Sequence, residues 1–480
     1  MQTRRTKIIA TLGPASTGEN ALRSLIKAGT NVFRLNFSHG AGDELTGLVE
    51  LIRQLANEED QQIALLGDLQ GPKIRTGSFT SGAVNLKVGE TFTLDAGLGV
   101  DEGDSSAVGV SYPELVDDCH TGNLLLLDDG RIELQVTKIE DRKIICKVLV
   151  GGKLSNKKGI NLAGGGLSAP ALTEKDYSDI NAATKLDLDY LAISFPKSAD
   201  DMRLARSAAD KAGFRGRLVA KIERSESVAN PEHLDKLIRA SDAVMVARGD
   251  LGVEIGDAQL IGIQKRIILR ARQLNRVVIT ATQMMESMIE SPLPTRAEVF
   301  DVANAVLDGT DAIMLSAETA VGRHPYKVVE AVDRVIRGAE KERITQVSQH
   351  RLDRLFGPSD EVVAMAAMYA ANHMEDMRAI ICFTESGTTP LLMSRIRSGI
   401  PIYALSPNIK TLRRAALFRG VSPILYNDSK ESVADTILGG IKLLKDRDVL
   451  NTGDNILVTI GDRIGHRGFT NTLKILQVDG

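Results

Sequence analysis

The sequence predicts an α/β protein: a TIM (β/α)8 barrel, an inserted small β-barrel lid domain, and a C-terminal α/β domain. Three observations carry this reading. Eight short apolar runs alternate with longer segments of helical pattern, the chain turns β-like and Gly-rich between Gly71 and about Ser168, and its character changes again after about Arg343. A chain of 480 residues is also too long for one core, so two or three domains are expected.

The eight runs are Thr6–Leu12, Asn31–Asn36, Ile63–Leu69, Tyr190–Phe195, Leu218–Glu223, Ala243–Ala247, Val277–Ala281 and Ala312–Leu315. Strands buried on both faces read as continuous apolar runs, and strand–helix alternation implies parallel βαβ units. The barrel is therefore expected over residues 1–71 and 169–343. The interval 72–168 carries β-like stretches at Val84–Leu94, Leu124–Asp128, Ile132–Ile139 and Lys143–Val150, punctuated by Asp129-Gly130 and Gly151-Gly152. It leaves the barrel at the C-terminal end of the third run, so it is placed over the active-site face, where a lid excludes water. Residues 344–480 form the third unit, with a periodic helix at Glu361–Met374 and parallel strands at Ala379–Phe383, Ile402–Ala404 and Ile456–Thr459.

Composition excludes several classes. Lys and Arg number 59 against 62 Asp and Glu, a net charge of −3 that offers no general attraction for nucleic acid or a membrane surface. The cysteines, Cys119, Cys146 and Cys382, are odd in number and far apart, which indicates neither a disulfide framework nor a zinc site. No stretch approaches the roughly 20 apolar residues of a membrane span, and no apolar signal core follows Arg4-Arg5. A cytoplasmic protein is expected.

Barrel enzymes place catalytic groups at the C-terminal ends of their strands. The second run ends in Arg34, Asn36, Ser38 and His39. The third ends in Asp68, with Arg75 beyond it. The fifth ends Lys221-Ile222-Glu223, the sixth is followed by Arg248-Gly249-Asp250, the seventh by Thr282-Gln283, and the eighth by Ser316-Ala317-Glu318. This inventory suits phosphoryl transfer, in which cations neutralise charge spread over the phosphoryl oxygens. Glu223 and Asp250 make a sparse oxygen site of the kind Mg²⁺ favours. Lys221 and Glu223, two apart on a strand, share a face. Arg34 and Arg75 offer planar forks for phosphate, and Gly249-Asp250 offers backbone N–H groups to a carboxylate. Taken singly, Lys-x-Glu also reads as a surface pair and Arg-Gly-Asp as a turn.

Several stretches jointly resemble the bacterial pyruvate kinase family: Thr6–Ser16, Arg34–Gly40, Asp128–Gly130, Lys221–Glu223, Met245–Gly252, Ala281–Met288 and Pro294–Glu298. The resemblance runs over the whole chain. It implies Mg²⁺- or Mn²⁺-dependent transfer of phosphoryl from phosphoenolpyruvate to ADP, giving pyruvate and ATP in the last step of glycolysis. It implies that Lys221 stabilises the transferring phosphoryl, that Arg34 binds phosphate, and that Glu223 and Asp250 hold the metal. It places the substrate carboxylate at Gly249, Asp250 and Thr282, the nucleotide at Thr11, Asn36, His39, Arg75 and Lys158, and the proton-relay water at Ser316 and Glu318. A homotetramer is also implied.

Asn36, Ser38, Asp68 and the Leu69 carbonyl match the K⁺ set of many members, but Lys73 stands where the K⁺-dependent pattern has glutamate. The reading is that the Lys73 ammonium supplies the internal cation and makes K⁺ dispensable; a solvated hinge charge is the alternative. In the C-terminal unit, Thr384, Ser386, Gly387, Thr388 and Thr389 form a loop before a helix, an anion-binding arrangement, with Arg463 and Arg467 on a second loop. The family places a phosphorylated allosteric activator there. Glu385 inside the loop favours a sugar monophosphate or AMP over a doubly phosphorylated sugar. An ordinary Ser/Thr turn is the plainer reading. Against the kinase stand a barrel carbon–carbon lyase and a metabolite sensor that kept the fold without turnover.

Overall fold

A computed structural model describes residues 4–39, 42–99, 101–348, 351, 355–427, 432–463 and 468–479. Three strands open the chain: β1 (Lys7–Thr11), β2 (Val32–Asn36) and β3 (Ala64–Asp68). Eight follow before the next barrel strand: β4 (Ala83–Leu86), β5 (Thr91–Asp95), β6 (Ala107–Gly109), β7 (Leu124–Leu127), β8 (Ile132–Glu140), β9 (Lys143–Val150), β10 (Gly152–Ser155) and β11 (Ile160–Leu162). The barrel resumes with β12 (Tyr190–Ile193), β13 (Arg217–Ile222), β14 (Ala243–Ala247), β15 (Val277–Ala281) and β16 (Ala312–Leu315). The last five are β17 (Met377–Phe383), β18 (Ile402–Ser406), β19 (Val421–Leu425), β20 (Asn455–Gly461) and β21 (Thr470–Gln477).

All eight apolar runs become parallel strands of one closed barrel, in the order β1-β2-β3-β12-β13-β14-β15-β16. Closure is made by β1, which pairs with β2 on one side and β16 on the other. Alternation along each strand sorts the side chains. Ile8 and Ala10 join the outer core against the helices, whereas Ile9, Val32, Leu66, Val219, Met245, Ile279 and Met314 fill the interior. The same parity turns Thr11, Arg34, Asp68, Lys221 and Ala247 inward at the upper rim, so the period of two that builds the core also assembles the site.

Between β3 and β12 the chain forms a six-stranded sheet, β11-β7-β8-β9-β5-β6, and a two-stranded sheet of β4 and β10, around one separate core. The run expected as one strand over Val84–Leu94 is two, β4 and β5, because Gly89 turns the backbone at φ +90. The Asp129-Gly130 turn is present, with φ of +52 at Asp128, +56 at Asp129 and +81 at Gly130.

The C-terminal sheet runs β19-β18-β17-β20-β21. Its three expected strands are parallel neighbours; β19 adds a fourth parallel strand, and β21 pairs antiparallel with β20. The expected helix spans Ser359–His373. One face of this sheet continues the core of the barrel interior, through Ile380, Leu417, Phe418 and Leu457, while the other face has a core of its own. Among the described residues no helix is long and apolar enough to cross a membrane.

Candidate active site

A cavity of about 230 Å³ opens at the C-terminal ends of the barrel strands. Thirteen positions singled out from the sequence bear on it, and eleven line it: Arg34, Asn36, Ser38, Asp68, Leu69, Lys73, Arg75, Lys221, Glu223, Asp250 and Thr282. Thr11 and Gly249 complete the group through hydrogen bonds. At the centre, the Lys221 ammonium lies 2.9 Å from Glu223 Oε1 and 3.3 Å from Asp68 Oδ1, and donates to Ser194 Oγ at 2.8 Å. Burial alone pulls a lysine down, but these two carboxylates outweigh it and push Lys221 up to about 12, so it stays charged. Lys221 and Glu223 are thus a buried pair rather than a solvated one.

Arg34 donates through Nε to Asp68 Oδ2 at 2.6 Å and through Nη1 to Thr11 Oγ1 at 3.1 Å. Burial pushes the Asp68 carboxyl up, and Lys221 and Arg34 together hold it below its usual range. Its Oδ1 faces Lys221 without a hydrogen bond, leaving a buried anionic oxygen with capacity for a further cation. Glu223 behaves oppositely. Burial raises its carboxyl, and repulsion from Asp250 adds to this against the pull of Lys221. A divalent cation held by Glu223 and Asp250 would relieve that repulsion, so the donor set fits Mg²⁺.

One end of the cavity is built from two loops. After β15, Thr282 and Gln283 adopt left-handed backbone at φ +68 and +53, uncommon for a β-branched residue. This turn brings Thr282 Oγ1 within 2.9 Å of the Gly249 N–H that donates to it. Arg248 holds the turn, donating to the carbonyls of Ala281 at 3.1 Å and Thr282 at 2.5 Å, and pairing with Asp301 at 2.7 Å. The buried Glu318 carboxylate accepts from the amides of Ser316 at 2.6 Å and Met285 at 3.1 Å, joining the ends of β15 and β16.

The remaining positions are nearby or apart. Lys158 pairs with Asp128 at 2.8 Å in the inserted unit, and Arg75 donates to the Lys157 carbonyl at 3.1 Å. The side chain of His39 lies outside the described residues. Asn36 Oδ1 accepts from the Ser38 amide at 3.1 Å, and the Leu69 carbonyl accepts from Ser194 Oγ at 2.7 Å. Lys73 Nζ reaches Asp250 Oδ1, at 2.9 Å, rather than this group. Sequence reasoning passed over Ser194 and Phe195, whose amide donates to Glu223 Oε2 at 2.9 Å; their signal was their place at the end of the fourth apolar run. Arg248 with Asp301 was also missed, because the pair is 53 residues apart.

A second cavity, of about 90 Å³, lies in the C-terminal unit and is lined by Thr384, Glu385, Ser386, Thr388, Thr389 and Arg463 among others. Gly387 caps the following helix at φ +80, its amide donating to Thr384 Oγ1 at 3.0 Å. Arg467 lies outside the described residues.

Comparison with known proteins places the chain in a family. The family described as "Pyruvate kinase, barrel domain" matches residues 3–329, and "Pyruvate kinase, alpha/beta domain" matches residues 361–476. The chain is 53% identical to pyruvate kinase II of Salmonella typhimurium over 479 residues, covering 99% of each. It is 54% identical to the pyruvate kinase of Haemophilus influenzae, again over 99% of each, and 38% identical to that of Clostridium perfringens, over 99% of this chain and all of the relative. Matched in both parts and along nearly its whole length, the chain belongs to the pyruvate kinase family.

Proposed function

We propose that this chain transfers the phosphoryl group of phosphoenolpyruvate to ADP, giving pyruvate and ATP. The observation that carries the reading is the Lys221 ammonium, buried and kept charged by Asp68 and Glu223 beside Arg34 in the barrel-top cavity. Lys221 and Arg34 neutralise charge on the phosphoryl oxygens as the bond to the enol oxygen breaks. Thr282, with the amides of Gly249 and Asp250, orients the substrate carboxylate. Mg²⁺ or Mn²⁺, held by Glu223 and Asp250, supplies further neutralisation of phosphate charge. Thr11, Asn36, His39, Arg75 and Lys158 take the nucleotide. Ser316 and Glu318 order the water that protonates the enolate. The working division is a barrel of 1–71 and 169–343, a lid of 72–168 and an effector-binding unit of 344–480, assembled as a homotetramer.

Two finer readings accompany this one. Lys73 provides a cation at the cavity, beside Asp250, and makes K⁺ at the set of Asn36, Ser38, Asp68 and Leu69 dispensable. The loop of Thr384, Ser386, Gly387, Thr388 and Thr389, with Arg463 and Arg467, takes a sugar monophosphate or AMP as activator. Pyruvate formation from phosphoenolpyruvate and ADP with Mg²⁺, measured without and then with K⁺, tests the first two levels together. Turnover in both is expected, with Lys73→Glu turning over only when K⁺ is added. Turnover of the unaltered chain only with K⁺ keeps the kinase and rejects the role of Lys73. No turnover under either condition, sugar phosphates and AMP included, rejects the kinase. Thr388→Glu is expected to abolish activation at unchanged basal rate; retained activation by AMP or a sugar monophosphate removes this loop from the effector site.

A further inference from the structure

At the opposite end of the barrel from the candidate active site, a cleft of about 380 Å³ is lined by six arginines: Arg206, Arg215, Arg217, Arg239, Arg276 and Arg414. They come from the start of β13 and the segments that enter β13 and β15, from two barrel helices, and from the C-terminal helix Ile409–Ala415. Two carboxylates share the cleft, Asp210 and Asp242. Asp242 is already engaged at both oxygens, by Arg206 at 2.8 Å and the Leu218 amide at 2.9 Å on Oδ2, and by Arg217 at 2.8 Å on Oδ1. Asp210 lies at 3.8 Å from Arg206 and 4.0 Å from Arg215. Among the described residues, Arg239, Arg276 and Arg414 have no carboxylate within 4 Å.

The guanidiniums gather in a chain whose net charge is −3, with Arg217 acting on both Arg276 and Arg414 and Arg239 acting on Arg276. Burial lowers Arg276, and repulsion from Arg217 and Arg239 lowers it further against the pull of Asp242. Burial likewise lowers Arg414, with Arg217 adding to the effect. Arg276 is spent on main-chain carbonyls, donating to those of Ser241 at 2.5 Å and Arg239 at 3.0 Å, which is a structural use. Arg414 is engaged in the same way through Nη2, which donates to the Arg215 carbonyl at 2.6 Å, although its buried Nε has no hydrogen-bond partner; the account does not extend to Arg239, whose exposed fork is unpaired among the described residues.

We propose that this cleft binds a phosphate-bearing polyanion. Planar guanidinium forks match phosphate oxygens two at a time, and several converging on one concavity select a multiply charged oxyanion over a single carboxylate. Sodium tripolyphosphate titrated calorimetrically into the full chain in metal-free buffer is the probe. Arg239→Glu, on an exposed side chain, is expected to weaken one binding event about tenfold or more while leaving turnover of phosphoenolpyruvate and ADP unchanged. The same titration with inorganic phosphate separates two sources. An Arg239-dependent event with phosphate points to singly phosphorylated metabolites, and one seen only with tripolyphosphate points to linked phosphates. An isotherm that Arg239→Glu leaves unaltered with both probes overturns the proposal.

Discussion

A charged side chain survives inside a barrel only when its partners repay the lost hydration. Lys221 meets that condition with two carboxylates and a hydroxyl, and Asp68 with two cations. Glu254 does not. It accepts from the Ser225 amide at 2.8 Å and lies 3.3 Å from Arg224, yet burial pushes its carboxyl up to about 7 against these contacts. Between about pH 4.5 and pH 7 the folded chain therefore holds a proton here that the unfolded chain has released, and this residue's contribution to stability falls as pH rises through that window. Glu254→Gln keeps an acceptor and removes the charge. Denaturant unfolding from pH 4.5 to 7.5 is expected to show the variant gaining on the unaltered chain as pH rises, by on the order of 2–3 kcal/mol at the upper end. A difference independent of pH counts against a buried, titrating Glu254.

At the scale of the element, loops at the barrel top are held by side chains that serve two elements at once. Glu298 closes a capping box with Thr295 at the start of the helix Arg296–Asp308, and the same carboxylate accepts from the Ser287 amide at 2.7 Å and its hydroxyl at 2.5 Å. It thereby ties the helix to the turn Glu286–Ile289 that follows the left-handed Thr282–Gln283 corner. Thr295→Ala loses only the cap and is expected to cost about 1 kcal/mol. Glu298→Ala loses cap and tether and is expected to cost about 2–3 kcal/mol and to raise KM for phosphoenolpyruvate, which Thr295→Ala leaves near its original value. Equal effects of the two substitutions on stability and KM leave no separate role for the tether.

At the scale of the whole molecule, the barrel and the C-terminal sheet share one core, so the lower end of the barrel is a junction rather than a surface. Arg395, fully buried, crosses it. It pairs with both oxygens of Asp311, at 2.9 Å on Oδ2, and donates to the Arg276 carbonyl at 2.6 Å. Asp311 in turn accepts from the amides of Val278 at 2.9 Å and Arg419 at 3.2 Å. Arg395→Met strands this carboxylate and is expected to cost about 3–5 kcal/mol, whereas Arg395→Met with Asp311→Asn recovers part of the loss. Thermal unfolding of the two variants checks this; a double variant no more stable than the single one would show that the pair is not what holds the junction.

The sequence by itself determined the barrel. Six of its eight strands are buried at every residue and the other two nearly so, and a buried parallel strand reads as an apolar run, so each was legible with its ends within two residues. Several residues that line the barrel-top cavity, Arg34, Asp68, Lys221 and Glu223, were legible for the same reason: they are inward residues at the ends of those runs, where parity and strand end coincide. Short strands such as β6, β10 and β11 were not legible, because three or four residues without a longer apolar run around them carry too little pattern. Nor could the sequence pair Arg248 with Asp301 or Arg395 with Asp311, or send Lys73 to Asp250, since contacts between residues distant in the chain leave no periodic trace. Tertiary structure alone decided which charges are compensated, because compensation depends on distances of 3 to 4 Å that only packing sets.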